Sequence, residues 1–285
     1  MRHALVVLLV LVVAARAEAG RGIASLKYLP DDTNVVIACD VARARSSPIF
    51  KKLLQLARDQ NKWLDTLASA QPLDKQVDTI IVGTNADEAA VVVLEGRIDK
   101  LAAEVKKTAT GSQAHAGVTY WTTPDGEVAV IDKRLVFAPA GAMEATIDRA
   151  KNKKAKGPSA ARMIMAATTP KTALFGGAVL DASARADAGK ELGSEPQWVV
   201  LSVAMAQRLT LDVRLKFADD ASAAAAAKAV NDQLTPDRRG QLEAFVGKDF
   251  ADSLTVEPQQ SFARIAATLT SDELDKVASV AKMLM

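Results

Sequence analysis

The chain has one cysteine, two histidines and 4% aromatic residues in 285. A lone thiol, Cys39, forbids an intramolecular disulfide, so the fold rests on its apolar core. Cys39 also lies too far along the chain to be the lipid-bearing first residue of a lipoprotein. His3 and His115 are too few for a histidine-based zinc site, and no Asp-x-Asp-x-Asp-Gly calcium loop occurs. A Gly-x-Ser-x-Gly elbow and a Gly-Lys-Ser/Thr phosphate loop are missing too. Charge of one sign is lacking: 36 Lys+Arg stand against 34 Asp+Glu, interspersed, with no basic face interleaved with aromatics. No nucleic-acid partner is therefore expected. No cofactor, metal or convergent catalytic set is expected either, and the chain reads as a non-enzyme.

What is present begins at the N-terminus. Met1-Arg2-His3 is followed by about a dozen unbroken apolar residues, Ala4 to Ala15, and then by small residues at Ala15-Arg16-Ala17 and Ala17-Glu18-Ala19. This order predicts a signal peptide over residues 1–19, cleaved after Ala17 or Ala19. The run falls short of the roughly 20 residues a membrane span needs, so no permanent span is expected after cleavage. Export to the periplasm or beyond a bacterial cell follows.

The whole chain is 49% hydrophobic and 25% charged, ordinary globular usage. Thr33 to Val41 is a β-branched apolar run, a strand in which Cys39 is a small inert core residue. Ser47-Pro48 opens an amphipathic helix to about Ala68. Val77–Thr84 and Ala89–Arg97 form a hairpin, and Ile98, Leu101, Ala102 and Val105 mark the helix after it. Short strands Val118–Thr122, Glu127–Ile131 and Leu135–Ala138 precede a helix from Met143 to Ala150. The second half repeats this order: an apolar run to Asp181, a hairpin Gln197–Ala206 and Leu209–Phe217, and an Ala-rich helix capped at Asp219-Asp220. Thr235-Pro236 opens one further helix through Phe250, Ser261–Leu269 is a strand, and Thr270 to Glu273 is a capping box. Strand, helix, strand, strand, helix, strand is the order of a ferredoxin-like unit. The expected fold is α+β: two tandem, possibly duplicated ferredoxin-like units, residues 23–155 and 161–285, with helices on mainly antiparallel sheets and a linker at 156–160.

Candidate sites are few. Lys151, Lys153, Lys154 and Lys156 could hold an anionic surface, or be the solvated end of a helix. Ser112 and His115 are a nucleophile and base close in sequence, in a stretch that reads as an exposed loop. Ser279 and Lys282 match Ser-x-x-Lys on an amphipathic helix, without the companion motifs. Trp63, Trp121 and Trp198 read as core, Gly176-Gly177 as close packing within a strand, and Asp31-Asp32, Asp87-Glu88 and Asp219-Asp220 as turn and cap residues.

Leu29-Pro30-Asp31-Asp32-Thr33, Asp40-Val41 and Ser46-Ser47-Pro48-Ile49-Phe50-Lys51-Lys52-Leu53 resemble the opening of a group of uncharacterised exported bacterial proteins. The likeness spans the first strand and helix. It implies an envelope protein and brings no site residues. The expected function is an exported, non-catalytic binding or scaffold protein of the bacterial envelope, with a protein or small-molecule partner. An envelope hydrolase and a membrane-surface-associated protein are the alternatives.

Overall fold

A computed structural model describes residues 22–60, 73–85, 90–169 and 172–284. The expected signal segment, with Ala17 and Ala19, lies outside the described residues. A 3-10 turn, Gly22–Tyr28, comes first. The strands are β1 Val35–Asp40, β2 Val77–Thr84, β3 Val91–Gly96, β4 Gly111–His115, β5 Val118–Thr123, β6 Gly126–Ile131, β7 Arg134–Ala138, β8 Leu174–Val179, β9 Trp198–Met205, β10 Leu209–Lys216, β11 Thr255–Gln259 and β12 Phe262–Leu269. The helices are α1 Val41–Ala44, α2 Pro48–Gln60, α3 Leu73–Gln76, α4 Asp99–Lys107, α5 Met143–Lys151, α6 Ser159–Ala167, α7 Ala182–Leu192, α8 Asp220–Gln233, α9 Pro236–Phe245, α10 Lys248–Ser253 and α11 Ser271–Leu284.

The α+β class stands, with helices packed on an antiparallel sheet, but the strand connections differ from a ferredoxin-like unit. In a split βαβ unit the strands flanking the first helix run parallel with another strand between them. Here β1 and β2 pair directly and antiparallel, Cys39 opposite Ile80. The chain leaves the end of β1 and re-enters at the neighbouring start of β2, so its helices close a long hairpin instead of a crossover.

Among the described residues the strands do not form two separate sheets either. The strands make one sheet in the order β11-β12-β10-β9-β8-β1-β2-β3-β7-β6-β5-β4. At its centre β1 and β8 pair, Val36 opposite Gly177 and Ile37 opposite Gly176. The meanders β1-β2-β3 and β8-β9-β10 mirror each other across this seam, and each is followed by a helix, α4 or α8. Both halves feed one core, in which Cys39, Leu101 and Leu135 cluster with Val203, Leu209 and Leu274. The stretch at 156–160 is docked between α5 and α6: Pro158 is buried, and a Cβ on Gly157 would lie 2.6 Å from Leu26.

Alternation along the strands builds two apolar faces. Val36 and Ala38 point to the first, where the 3-10 turn, α5 and α6 contribute Leu26, Tyr28, Met143, Ile147 and Ile164, all fully buried. Ile37 and Cys39 point to the second, under Ile49 and Leu53 of α2, Leu101 and Val105 of α4 and Leu274 of α11. Truncating one such leucine to alanine costs about 2–5 kcal/mol. Farther along the second face, Ala223, Ala226 and Ala227 of α8 pack on Phe217 and Ala263. Small side chains bring this helix close to the strands, which explains its alanine-rich stripe.

A polar network ties the 3-10 turn to the sheet. Arg134 Nε donates to Ser25 Oγ at 2.7 Å and to Glu95 at 2.9 Å, and Ser25 also bonds Glu95. The Tyr28 hydroxyl donates to Asp132 at 3.1 Å, and Lys27 to Asp132 at 2.9 Å. Burial pushes the Tyr28 hydroxyl up to about 12.

Several local expectations change. Gly111–His115 is a strand, not a loop; its first four residues are exposed, so no apolar alternation marks it. Ala116 and Gly117, at φ 46 and 76, turn it back onto β5. The single helix expected from Thr235 to Phe250 breaks at Gly247, φ 148, where the Glu273 side chain fills the space a Cβ would take. The helix from Ser47 is described only to Gln60, and Trp63 lies outside the described residues. The capping box forms: Thr270 N–H donates to Glu273 at 2.8 Å and Glu273 N–H to Thr270 Oγ1 at 3.3 Å.

Candidate functional site

Leu209-Thr210-Leu211-Asp212-Val213-Arg214-Leu215-Lys216 alternates apolar and polar residues without a break. The period of two sends the leucines and Val213 to the second face and Thr210, Asp212, Arg214 and Lys216 to the first. Register with the neighbouring strands sets these in rows. Trp198, Lys216, Phe262 and Gln259 form one; Val200, Arg214, Arg264 and Glu257 the next; Ser202, Asp212, Ala266 and Thr255 the third. Helix α6 covers the first face over β1 and β8. Over β10, β12 and β11 no helix among the described residues is packed on it, because α8 and α10 lie on the second face.

Asp212 is the hinge of this platform. It accepts from Arg214 Nε at 3.0 Å through one oxygen and from Arg264 Nε at 2.9 Å through the other. Arg264 Nη1 also donates to Glu257 at 2.8 Å, and Arg214 Nη2 to Thr169 at 2.9 Å. The bonds to Glu257 and Asp212 push the Arg264 guanidinium further up from its ordinary value, so it stays charged. Lys216 donates to Phe217 O at 2.9 Å and Ser261 Oγ at 2.5 Å and lies 5.5 Å from the centre of the Phe262 ring. That ring meets Trp198 edge-to-face, centroids 5.4 Å apart. Three fixed cations stand against two carboxylates beside an aromatic pair. Nη1 of Arg214 and Nη2 of Arg264 have no protein partner among the described residues, leaving planar donors for a carboxylate, a phosphate or a peptide carbonyl.

The structure separates most of the residues singled out in the sequence. Ser112 and His115 are three apart on a strand and therefore on opposite faces. Ser112 is opposite Trp121, whose ring lies 4.4 Å from Lys106 Nζ on the second face. His115 turns to α5 on the first face, Nε2 at 2.8 Å from Asp148 and Nδ1 at 3.7 Å from Glu144. The Tyr120 hydroxyl is 3.0 Å from both Gln113 and Glu144. Lys151 folds back onto the carbonyl of Ala116. Lys153, Lys154 and Lys156 are exposed between α5 and α6 and form no ion pair among the described residues. Cys39 is fully buried. Gly176 and Gly177 sit at the seam, where a Cβ would overlap the carbonyl oxygens of Val36 and Val199. Asp219 caps α8 through Ser222 N–H at 2.7 Å, and Asp32 accepts from Asn85 at 2.8 Å. Asp87-Glu88 and the side chains of Ser279 and Lys282 lie outside what is described. Among the described residues no group of His, Cys, Asp and Glu could hold a metal ion, and no helix is long and apolar enough to cross a membrane.

Of the platform residues only Trp198 was singled out in the sequence, as core, and it is partly exposed, as is Trp121; the alternation in β10 was a usable signal for a strand with one wet face. The pairing of Asp212 with Arg264 had none.

No protein-family profile matches the chain, and no curated protein matches it significantly. A solved structure described as "Structure of crystal form I of TP0453" is similar over 89% of this chain and 96% of its own, at 11% identity and a TM-score of 0.49, a distant likeness of shape.

Proposed function

We propose that this is an exported, non-catalytic binding or scaffold protein of the bacterial envelope, and that the open first face of β10, β12 and β11, with Trp198 at its border, is its contact surface. One observation carries the reading: Arg214 and Arg264 are held by a shared carboxylate on a rigid sheet, with unused guanidinium donors beside Trp198 and Phe262. Preorganised donors on strands lose little entropy when a ligand arrives. Aromatic and arginine side chains are also the types enriched at binding hot spots. The signal-peptide pattern and the likeness to exported bacterial proteins support the envelope assignment. The hydrolase alternative loses its Ser–His pair, since the two side chains point to opposite sides of the sheet.

The test is photocrosslinking in the native host, with a benzophenone side chain at Thr210 on the platform or at Ser183 on α7. A discrete adduct from Thr210, absent from Ser183 and lost when Arg214 and Arg264 become glutamate, is the expected result. Equal labelling from both positions overturns the assignment of the surface. Turnover of a defined substrate that vanishes in one point variant overturns the non-catalytic reading.

A further inference from the structure

The sheet has two edges, and they are built differently. In β11 the residues whose backbone groups face outward are Val256 and Pro258, because Thr255, Glu257 and Gln259 bond to β12 across the tight turn. Asn231 of α8 donates to the Val256 carbonyl at 2.9 Å, and Pro258 has no N–H. That edge is blocked. In β4, Gly111, Gln113 and His115 bond to β5, which turns the N–H and C=O of Ser112 and Ala114 outward. Gly111 through Ala114 are exposed, no proline or lysine guards them, and these backbone groups have no partner among the described residues.

We infer that the β4 edge pairs antiparallel with β4 of a second copy of this chain, extending the sheet across a two-fold axis at Gln113. In that register Ser112 and Ala114 of one copy bond Ala114 and Ser112 of the other, so all the outward groups are satisfied. Gln113 faces its own equivalent. His115 faces Gly111 of the second copy, where a Cβ would find nothing within 4 Å. Four backbone bonds and a small contact make a concentration-dependent dimer, not a permanent one. The surface lies at the opposite end of the sheet from the proposed binding platform, so either can fail without the other.

Sedimentation velocity of the full exported chain, up to about 1 mM, should show a monomer–dimer equilibrium. Ala114→Pro removes an amide that β5 does not use, and should abolish the dimer while its thermal melt stays cooperative. Gln113→Cys gives a second readout that does not depend on that variant folding. Residues in a non-hydrogen-bonded antiparallel pair have Cα atoms about 4.5 Å apart, within disulfide reach. Mild oxidation should link two Gln113→Cys copies and leave Ser112→Cys, whose opposite residue is Ala114, mostly unlinked; Cys39 is buried and does not interfere. A monomer at every concentration with no crosslink overturns the inference. So does a dimer that survives Ala114→Pro without Gln113→Cys crosslinking, or an edge that pairs only with peptides from other proteins.

Discussion

Replacing Asp212 with asparagine removes the charge that two guanidinium groups share while keeping the side chain's shape. Asp212 is 13% exposed and its partners 28% and 27%, so the cluster lies between a surface pair and a buried one. An exposed pair is worth about 0–1 kcal/mol and a hydrogen bond to a desolvated charge about 1.5–3 kcal/mol. The Asp212–Arg264 coupling should therefore be about 1–2 kcal/mol. Arg264 keeps Glu257 and Arg214 keeps Thr169, so neither guanidinium is stranded and the strands should stay paired. The assay is urea unfolding of wild type, Asp212→Asn, Arg264→Ala and the double variant, closed as a thermodynamic cycle. Repeating it in about 1 M salt should shrink the coupling without abolishing it, since partly buried charges are screened less than exposed ones. Additivity within about 0.3 kcal/mol would refute the claim that Asp212 organises the platform.

Tyr28 keeps its proton in the folded chain up to about 12, whereas the unfolded chain releases it near 10. Its contribution is complete below pH 10 and is lost as pH rises from 10 to 12; that loss is about 3 kcal/mol, and melts of Tyr28→Phe over this range should lack it. Gly176→Ala drives a Cβ against the Val36 carbonyl and to 2.8 Å from Ile37 Cα, backbone that cannot swing away. The substitution should cost about 3 kcal/mol in urea unfolding, and a cost below about 1 kcal/mol would show that the seam yields. Burial pushes the Glu273 carboxyl up, but the N–H groups of Thr270 and Phe250 outweigh it and hold the group below its usual value. Its stabilisation is present above the ordinary carboxylate range and lost as pH falls through the lowered value. Glu273→Gln should cost about 1–2 kcal/mol at neutral pH and flatten the acid limb of the stability curve.

Elements whose signal is local were legible. The β-branched run of β1, the hairpins β2-β3 and β9-β10, the Asp219 cap and the Thr270–Glu273 box each lie within a few residues of sequence and appear where the pattern puts them. Elements that bury nothing were not. Neither β4 nor α7 has a buried residue, so neither carries an apolar period, and β11 hides behind Pro258 because proline is tolerated at an edge. Pairing between distant segments was also invisible: no local pattern tells β8 to add beside β1, and that choice turns two expected units into one sheet. The candidate site belongs to this last class. Asp212 and Arg264 are 52 residues apart and meet only through the register of β10 with β12. Solubility alone asks of an uncovered sheet face only that it be polar. Threonine, serine and unpaired lysine would meet that need without ordering two arginines around one carboxylate or leaving Trp198 and Phe262 half-exposed beside them. Ordering long side chains and keeping aromatic surface in water both cost free energy, of which the bonds to Asp212 return part. A bound partner that covers the rings and takes the free guanidinium donors would recover the rest.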